Sequence, residues 1–287
     1  MIRSMLNQTI TSANGRAIVF DIIVPDGEQK APVLLFCHGY KGFKDWGAWG
    51  LMSRILAHSG IACVKFNYSH NGGTAAQPAD FPDLEAFGNN NYTLEVQDTK
   101  CMLDWVAQAT LSFDASSIYL MGHSRGGGIG ALVAAGDTRI KGLITLAGVS
   151  DFAARFPIGD KLVAWQEQGV LFVENGRTKQ QMPSYYQFYE DFIKHKEALN
   201  ILKAVAQVSI PFLIIHGDAD STVGVTEAFA LNKASARSEL LVISGANHVF
   251  GATHPWNKTF LPEHMQRVVR CAVNFVQKTQ HKAIKTC

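Results

Sequence analysis

Nowhere in this 287-residue chain do roughly 18 apolar residues run unbroken, so no segment has the length and apolarity of a membrane-spanning helix. Residues Met1 to Thr9 lack the apolar core of a secretory signal, which sets the expectation of a cytoplasmic protein with no membrane partner. Charge of one sign is equally scarce. With 26 Lys and Arg against 24 Asp and Glu, the net charge is +2 and no long like-charged run occurs, which argues against nucleic acid or an anionic membrane as partner. The five cysteines, Cys37, Cys63, Cys101, Cys271 and Cys287, are odd in number and lack metal-ligand spacing. Several lie in apolar runs, so they are read as buried free thiols, with no zinc site and no disulfide framework. Repeats and low-complexity stretches do not stand out either. What the chain does have is core-forming material: 47% of it is hydrophobic and 17% charged, enough for one domain spanning 1–287.

Residues 6–11 and 17–24 flank Asn14-Gly15, the pair best suited to a two-residue type I′ hairpin, so the sheet is expected to begin antiparallel. Apolar runs follow at 33–37, 61–66, 117–121, 142–147, 211–215 and 239–243. They are short, unalternating and rich in Val and Ile, as strands covered on both faces should be. Helical patterns lie at 49–58, 92–109, after Ser124, and at 225–234 and 263–276, with Thr93 as the expected N-cap of the second. Alternating strand and helix predicts an α/β fold, an eight-stranded and mostly parallel sheet with helices on both faces.

The alternation breaks at 150–208, which is aromatic and helical in character and shows no strong strand. An insertion here would lie over the C-terminal edge of the sheet and is read as a small helical cap or lid. Tyr185, Phe188, Tyr189 and Phe192 recur at helical spacing, which predicts packing for most of them and one or two rings facing a pocket.

The most informative stretch is Gly122-His123-Ser124-Arg125-Gly126, a G-x-S-x-G pattern with a strand-like run before it and a glycine-rich helical pattern after it. A strand turning directly into a helix through a serine holds that serine in a strained conformation with its hydroxyl projecting. Any Cβ on Gly122 or Gly126 would crowd the bend.

Serine is a weak nucleophile and needs a base with an orienting acid. The run 211–215 opens into His216-Gly217-Asp218-Ala219-Asp220, and the run 239–243 opens into Ser244-Gly245-Ala246-Asn247-His248. Both deliver polar groups to strand C-terminal ends, in the order Ser124, Asp220, His248. Asp220 is preferred over Asp218 because it clears the strand, whereas Asp218 is placed to brace the loop through local backbone donors. His254 and His264 do not directly follow a strand. For the oxyanion, the Arg125 amide at a helix start and the Tyr40 amide in the loop after 33–37 are the expected donors. His38 and His123 are read as structural.

Taken together, His38-Gly39-Tyr40-Lys41-Gly42, the serine motif, His216 to Asp220 and Gly245 to His248 resemble the α/β-hydrolase superfamily over nearly the whole chain. Within it the chain looks most like esterases related to dienelactone hydrolases and cinnamoyl or feruloyl esterases, and like the catalytic domain of prolyl-oligopeptidase-type peptidases. Its serine departs from the cysteine of dienelactone hydrolases proper, and with no N-terminal propeller in the sequence an oligopeptidase is not expected. The resemblance implies a carboxylic ester hydrolase acting on a small-molecule ester through an acyl-enzyme and without metal or organic cofactor, and the aromatic character of 150–208 suits an aromatic or a medium-chain acyl group equally. An acyltransferase, a peptidase or amidase, and a non-catalytic binding protein remain open alternatives.

Overall fold

The computed structural model describes residues 1–27, 30–109, 111 and 113–285; Cys287 lies outside the described residues. The main sheet has eight strands: β1 (Ile2–Thr11), β2 (Ala17–Pro25), β3 (Ala31–Cys37), β4 (Ala62–Phe66), β5 (Phe113–His123), β6 (Ile140–Leu146), β9 (Phe212–Gly217) and β10 (Ser238–Ile243). They lie in the order β1-β2-β4-β3-β5-β6-β9-β10. The β1–β2 and β2–β4 pairs are antiparallel and every later pair is parallel. The helices are α1 (Trp49–His58), α2 (Leu84–Gly88), α3 (Tyr92–Gln108), α4 (Arg125–Ala134), α5 (Asp160–Gln168), α6 (Gln187–His195), α7 (Ile201–Gln207), α8 (Thr226–Ala234) and α9 (Glu263–Lys285).

The central strands are buried on both faces because their side chains alternate between two cores. Val33, Leu35 and Cys37 of β3 point to one side, with Met102 and Leu103 of α3, Ile129 of α4 and Leu231 of α8. Leu34 and Phe36 point to the other, with Trp49 and Met52 of α1 and Met265 and Val268 of α9. This period of two explains why the sequence runs are unalternating. Helix α9 continues past the expected end at 276 because residues 277–285 hold neither Gly nor Pro to stop it.

The first turn differs from the expected two-residue type I′. Gly15 N–H donates to Ser12 O at 3.0 Å, Ser12 N–H donates to Arg16 O at 2.8 Å, and Gly15 takes a φ of 83° while Asn14 does not go positive. This is a longer loop, a type I turn followed by a left-handed glycine. Asn14 holds it there, since its Oδ1 accepts from Ser12 Oγ and from Arg16 N–H.

Likewise the N-cap of α3 is Asn91 and not Thr93: Asn91 Oδ1 accepts from Leu94 N–H at 2.9 Å, and Thr93 Oγ1 instead donates to Asp191 of α6. The stretch between β6 and β9 holds a 3-10 turn (Ala153–Arg155) and α5, α6 and α7, together with an antiparallel pair that the sequence reading lacked, β7 (Val170–Glu174) and β8 (Gln181–Tyr185).

Because β3, β5, β6, β9 and β10 are parallel, the loops after β3, β5, β9 and β10 and the insertion after β6 all leave one edge of the sheet. The loop after β3 is pinned by a buried cluster in which Lys44 and Lys65 both pair with Asp21 and Asp45. Lys44 N–H also donates to Asn67 Oδ1 at 2.7 Å.

Candidate active site

Ser124 stands between β5 and α4 with φ 55° and ψ −120°, a left-handed conformation that a residue with a side chain adopts only under constraint. Its neighbours supply that constraint. Ser124 N–H donates to Leu146 O at 2.9 Å, and its carbonyl accepts from Gly127 N–H at 2.9 Å and Val149 N–H at 3.2 Å. A Cβ on Gly122 would overlap the Gly126 carbonyl, and one on Gly126 would overlap the carbonyls of Cys37 and His38 at the end of β3. A Cβ on Gly39 would come within 2.9 Å of Ser124 Cβ, so the loop after β3 lies directly against the serine. Gly42 N–H donates to Gly39 O at 3.0 Å and closes a tight turn whose third residue, Lys41, has φ 51°.

The ends of β9 and β10 are sewn together. Asp218 N–H donates to Ile243 O, Ala219 N–H donates to Ala246 O, and Asp218 Oδ1 accepts from Gly245 N–H at 2.6 Å. Asp218 therefore braces the two loops, while Asp220 turns inward: its Oδ2 lies 2.7 Å from His248 Nδ1. Asp220 Oδ1 accepts from Thr222 N–H at 2.8 Å and Val223 N–H at 2.9 Å. Burial alone would raise the Asp220 carboxyl, but hydrogen bonds from His216, His248 and the Val223 amide outweigh it and hold it well below the usual carboxylate range. A carboxylate at Asp220 accepts the Nδ1–H of His248 and so fixes the orientation of the ring, with Nε2 on its far side.

His38 and His123 are spent locally. Burial lowers His38 to about 4, its Nδ1 donates to Gly39 O at 2.8 Å, and its Nε2 accepts from Tyr68 N–H at 3.4 Å. Burial, with His248 nearby, lowers His123 to about 3, and its Nε2 donates to the His248 carbonyl at 2.9 Å, which helps place the loop after β10. His254 Nδ1 accepts from Gly47 N–H, and His264 lies in α9. Among the described residues no group of three or more His, Cys, Asp and Glu side chains comes together to hold a metal ion. Burial pushes the Cys37 and Cys63 thiols up to about 12, and Cys101 and Cys271 are half-buried.

Two cavities meet at Ser124. One, of about 260 Å³, runs under the insertion past Tyr40, Arg125, Phe152, Phe156, Trp165 and Phe188. The other, of about 170 Å³, has His248, His123 and Trp49 in its walls. Ser124 and Tyr40 line both. The structure thus brings Ser124, Tyr40, Arg125 and His248 to one place with Asp220 behind His248. Of the four aromatic residues at helical spacing in the insertion, Phe188 faces the larger cavity.

One member escaped the sequence. Arg125 Nη1 donates to Glu95 Oε1 at 3.2 Å, and Asn90 Nδ2 donates to the same oxygen at 2.7 Å. The guanidinium carbon sits 4.3 Å from the Tyr40 ring centre, 5.0 Å from Tyr92 and 5.3 Å from Phe188. A desolvated cation–π contact contributes about 2 kcal/mol. Removing one partner of a buried ion pair costs about 3–5 kcal/mol, so the pair with Glu95 is the stronger tether. A signal existed: Glu95, Asp98 and Thr99 share the helical face of Met102, Leu103 and Val106, where a carboxylate is out of place unless paired.

Fold and site define an α/β hydrolase. Residues 51–269 match the prolyl oligopeptidase family, and the chain belongs to that family. Among solved structures it is similar to Est1E from Butyrivibrio proteoclasticus with ferulic acid bound, at 20% identity and a TM-score of 0.74, covering 96% of this chain and 99% of that one. It is also similar to a putative hydrolase from Agrobacterium vitis S4, at 16% identity and a TM-score of 0.72, over 96% and 99% of the two chains. DcsB, solved with a substrate analogue, aligns at 15% identity and a TM-score of 0.72, over 97% and 99%. At such identities the likeness carries the fold and not the substrate. A comparison with curated proteins finds no match. Among the described residues no helix is long and apolar enough to cross a membrane.

Proposed function

We propose that this protein hydrolyses carboxylic esters of small molecules through an acyl-enzyme on Ser124. The observation that carries the reading is the 2.7 Å contact of His248 Nδ1 with Asp220, whose carboxyl is held low by its hydrogen bonds, in a loop beside a strained serine at a helix start. His248 takes the proton of Ser124 Oγ as the hydroxyl adds to the ester carbonyl, then returns it to the leaving alcohol; water activated the same way releases the acid. The amides of Arg125, at the positive end of α4, and of Tyr40 receive the oxyanion. His248 lines only the smaller cavity of the two, so the alcohol departs there and the acyl group occupies the aromatic one. In this reading the chain is one domain over 1–287, with 150–208 as a cap that roofs the acyl cavity. The ferulic acid held by Est1E is in keeping with an aromatic acyl group.

A second reading, a peptidase or amidase, is favoured by the family match. Hydrolysis of 4-nitrophenyl esters and of the matching 4-nitroanilides separates them: the ester reading expects turnover of the esters with anilides far slower, and comparable anilide turnover selects the amidase.

A further inference from the structure

The two amides proposed to hold the oxyanion belong to separate elements, Tyr40 to the turn after β3 and Arg125 to the first residue of α4. Their spacing is only as fixed as the turn is fixed against the helix. A hole tuned to an oxyanion loses its advantage when a donor drifts, because the benefit lies in dipoles already oriented before reaction.

The turn's backbone is held at its two ends, Gly39 O by His38 Nδ1 at 2.8 Å and Gly42 O by Asn71 Nδ2 at 3.3 Å, with Tyr40 between them. The Tyr40 residue is 37% exposed, its ring meets Phe87 at a centroid distance of 5.8 Å, and Lys41 Nζ donates to Glu174 O at 3.1 Å from the turn to the tip of β7. The Arg125 side chain, by contrast, is 11% exposed and its Glu95 partner 3%, on a helix packed in the core. The guanidinium is tied to α3 through Glu95 at 3.2 Å and set among aromatic rings, with Tyr40 the nearest at 4.3 Å. The residue that supplies one amide thus grips the side chain of the residue that supplies the other.

We propose that the Glu95–Arg125–Tyr40 chain is a positioning clamp for the oxyanion hole: α3 holds the guanidinium, and the guanidinium holds the Tyr40 ring and with it the turn that aims the Tyr40 amide. The clamp rests on the ester-hydrolase reading above. Arg125 has two roles here, its backbone in the hole and its side chain as the clamp; Glu95 is not among the residues that line either cavity. The clamp needs a planar cation over an aromatic face. Lysine keeps the charge and loses the plane.

The test is a double-mutant cycle with Arg125→Lys, Tyr40→Leu and the pair, read as kcat and KM on 4-nitrophenyl butyrate and as inhibition by an alkyl trifluoromethyl ketone, which forms a tetrahedral oxyanion on the serine. Each single variant is expected to lower kcat and ketone affinity together by about 10- to 100-fold with KM within about threefold. The pair is expected to be no worse than either single, since both break one contact. Tyr40→Phe, which keeps the ring, restores most of what Tyr40→Leu loses, and Glu95→Gln follows the same kcat pattern more weakly. Thermal unfolding of each variant identifies any loss that comes from misfolding. The clamp is overturned if the factors multiply in the pair, if KM carries the loss, which would make Arg125 a substrate-binding group, or if folded variants lose nothing. A wild type that neither turns over esters nor binds the ketone brings down the ester-hydrolase reading and the clamp with it; an active wild type with unaffected variants removes the clamp alone.

Discussion

His248 Nδ1 and Asp220 Oδ2 lie 2.7 Å apart, joined from two neighbouring loops that Asp218 and Gly245 lash together from outside. The two aspartates two residues apart therefore have different work. Asp220→Asn is expected to lower kcat/KM by about three to four orders of magnitude, because an amide cannot hold the productive histidine tautomer. Asp218→Asn keeps an acceptor for the Gly245 amide and is expected to stay within about tenfold of wild type. Steady-state kinetics on one ester decides it, and equal losses at the two positions would contradict the division.

The elbow makes a steric prediction. A Cβ on Gly126 meets the carbonyls that end β3, backbone atoms that cannot move without shifting a central strand. Gly126→Ala is expected to destabilise the fold by more than about 3 kcal/mol in chemical denaturation, above the usual cost of a point change. A variant of wild-type stability would mean that β3 and α4 are not packed this closely.

Acyl size should be set by the larger cavity. Leu171 of β7 lines it, and Leu171→Trp fills space there without touching the smaller cavity. Turnover of aryl and long-chain 4-nitrophenyl esters is expected to fall at least about tenfold in kcat/KM while acetate esters change little. Loss on acetate alone would put the acyl group in the other cavity.

Asp98 offers a test in stability. Burial, with Glu95 adding to it, raises its carboxyl to about 7 against the hydrogen bond from the Ser69 amide. A raised acid binds its proton more tightly folded than unfolded, so its contribution is present below the ordinary value of 3.8 and is lost as pH rises through about 7. Asp98→Asn is expected to gain stability relative to wild type from pH 5 to pH 8, measured by thermal unfolding. A constant offset between the two proteins would contradict the assignment.

Much of this was readable in the chain because strands leave a plain mark: 33–37, 211–215 and 240–243 are apolar runs that open into polar loops, and those loops carry the candidate site, although β10 at the sheet edge is buried only at Ile243. The pair β7–β8 was not readable. Its strands are five residues long, no residue of β7 is buried, and its partner lies within the same insertion, so no covered run marks it. Glu95 was missed because a carboxylate on an amphipathic helix is usually solvated, and its burial depends on partners the pattern does not mark, Asn90 and, 30 residues on, Arg125. Asn14-Gly15 promised a tighter turn than it makes, since the Asn14 side chain is engaged with Ser12 and Arg16.

Everything proposed for this site rests on Ser124 as the nucleophile. Incubation of the wild type and Ser124→Ala with a fluorophosphonate, followed by mass mapping of the adduct and assay of ester turnover, tests it directly. A single adduct on Ser124 of the wild type is expected, with loss of turnover in step with labelling, and neither adduct nor turnover in Ser124→Ala. An unlabelled wild type, or full turnover by Ser124→Ala, would contradict it.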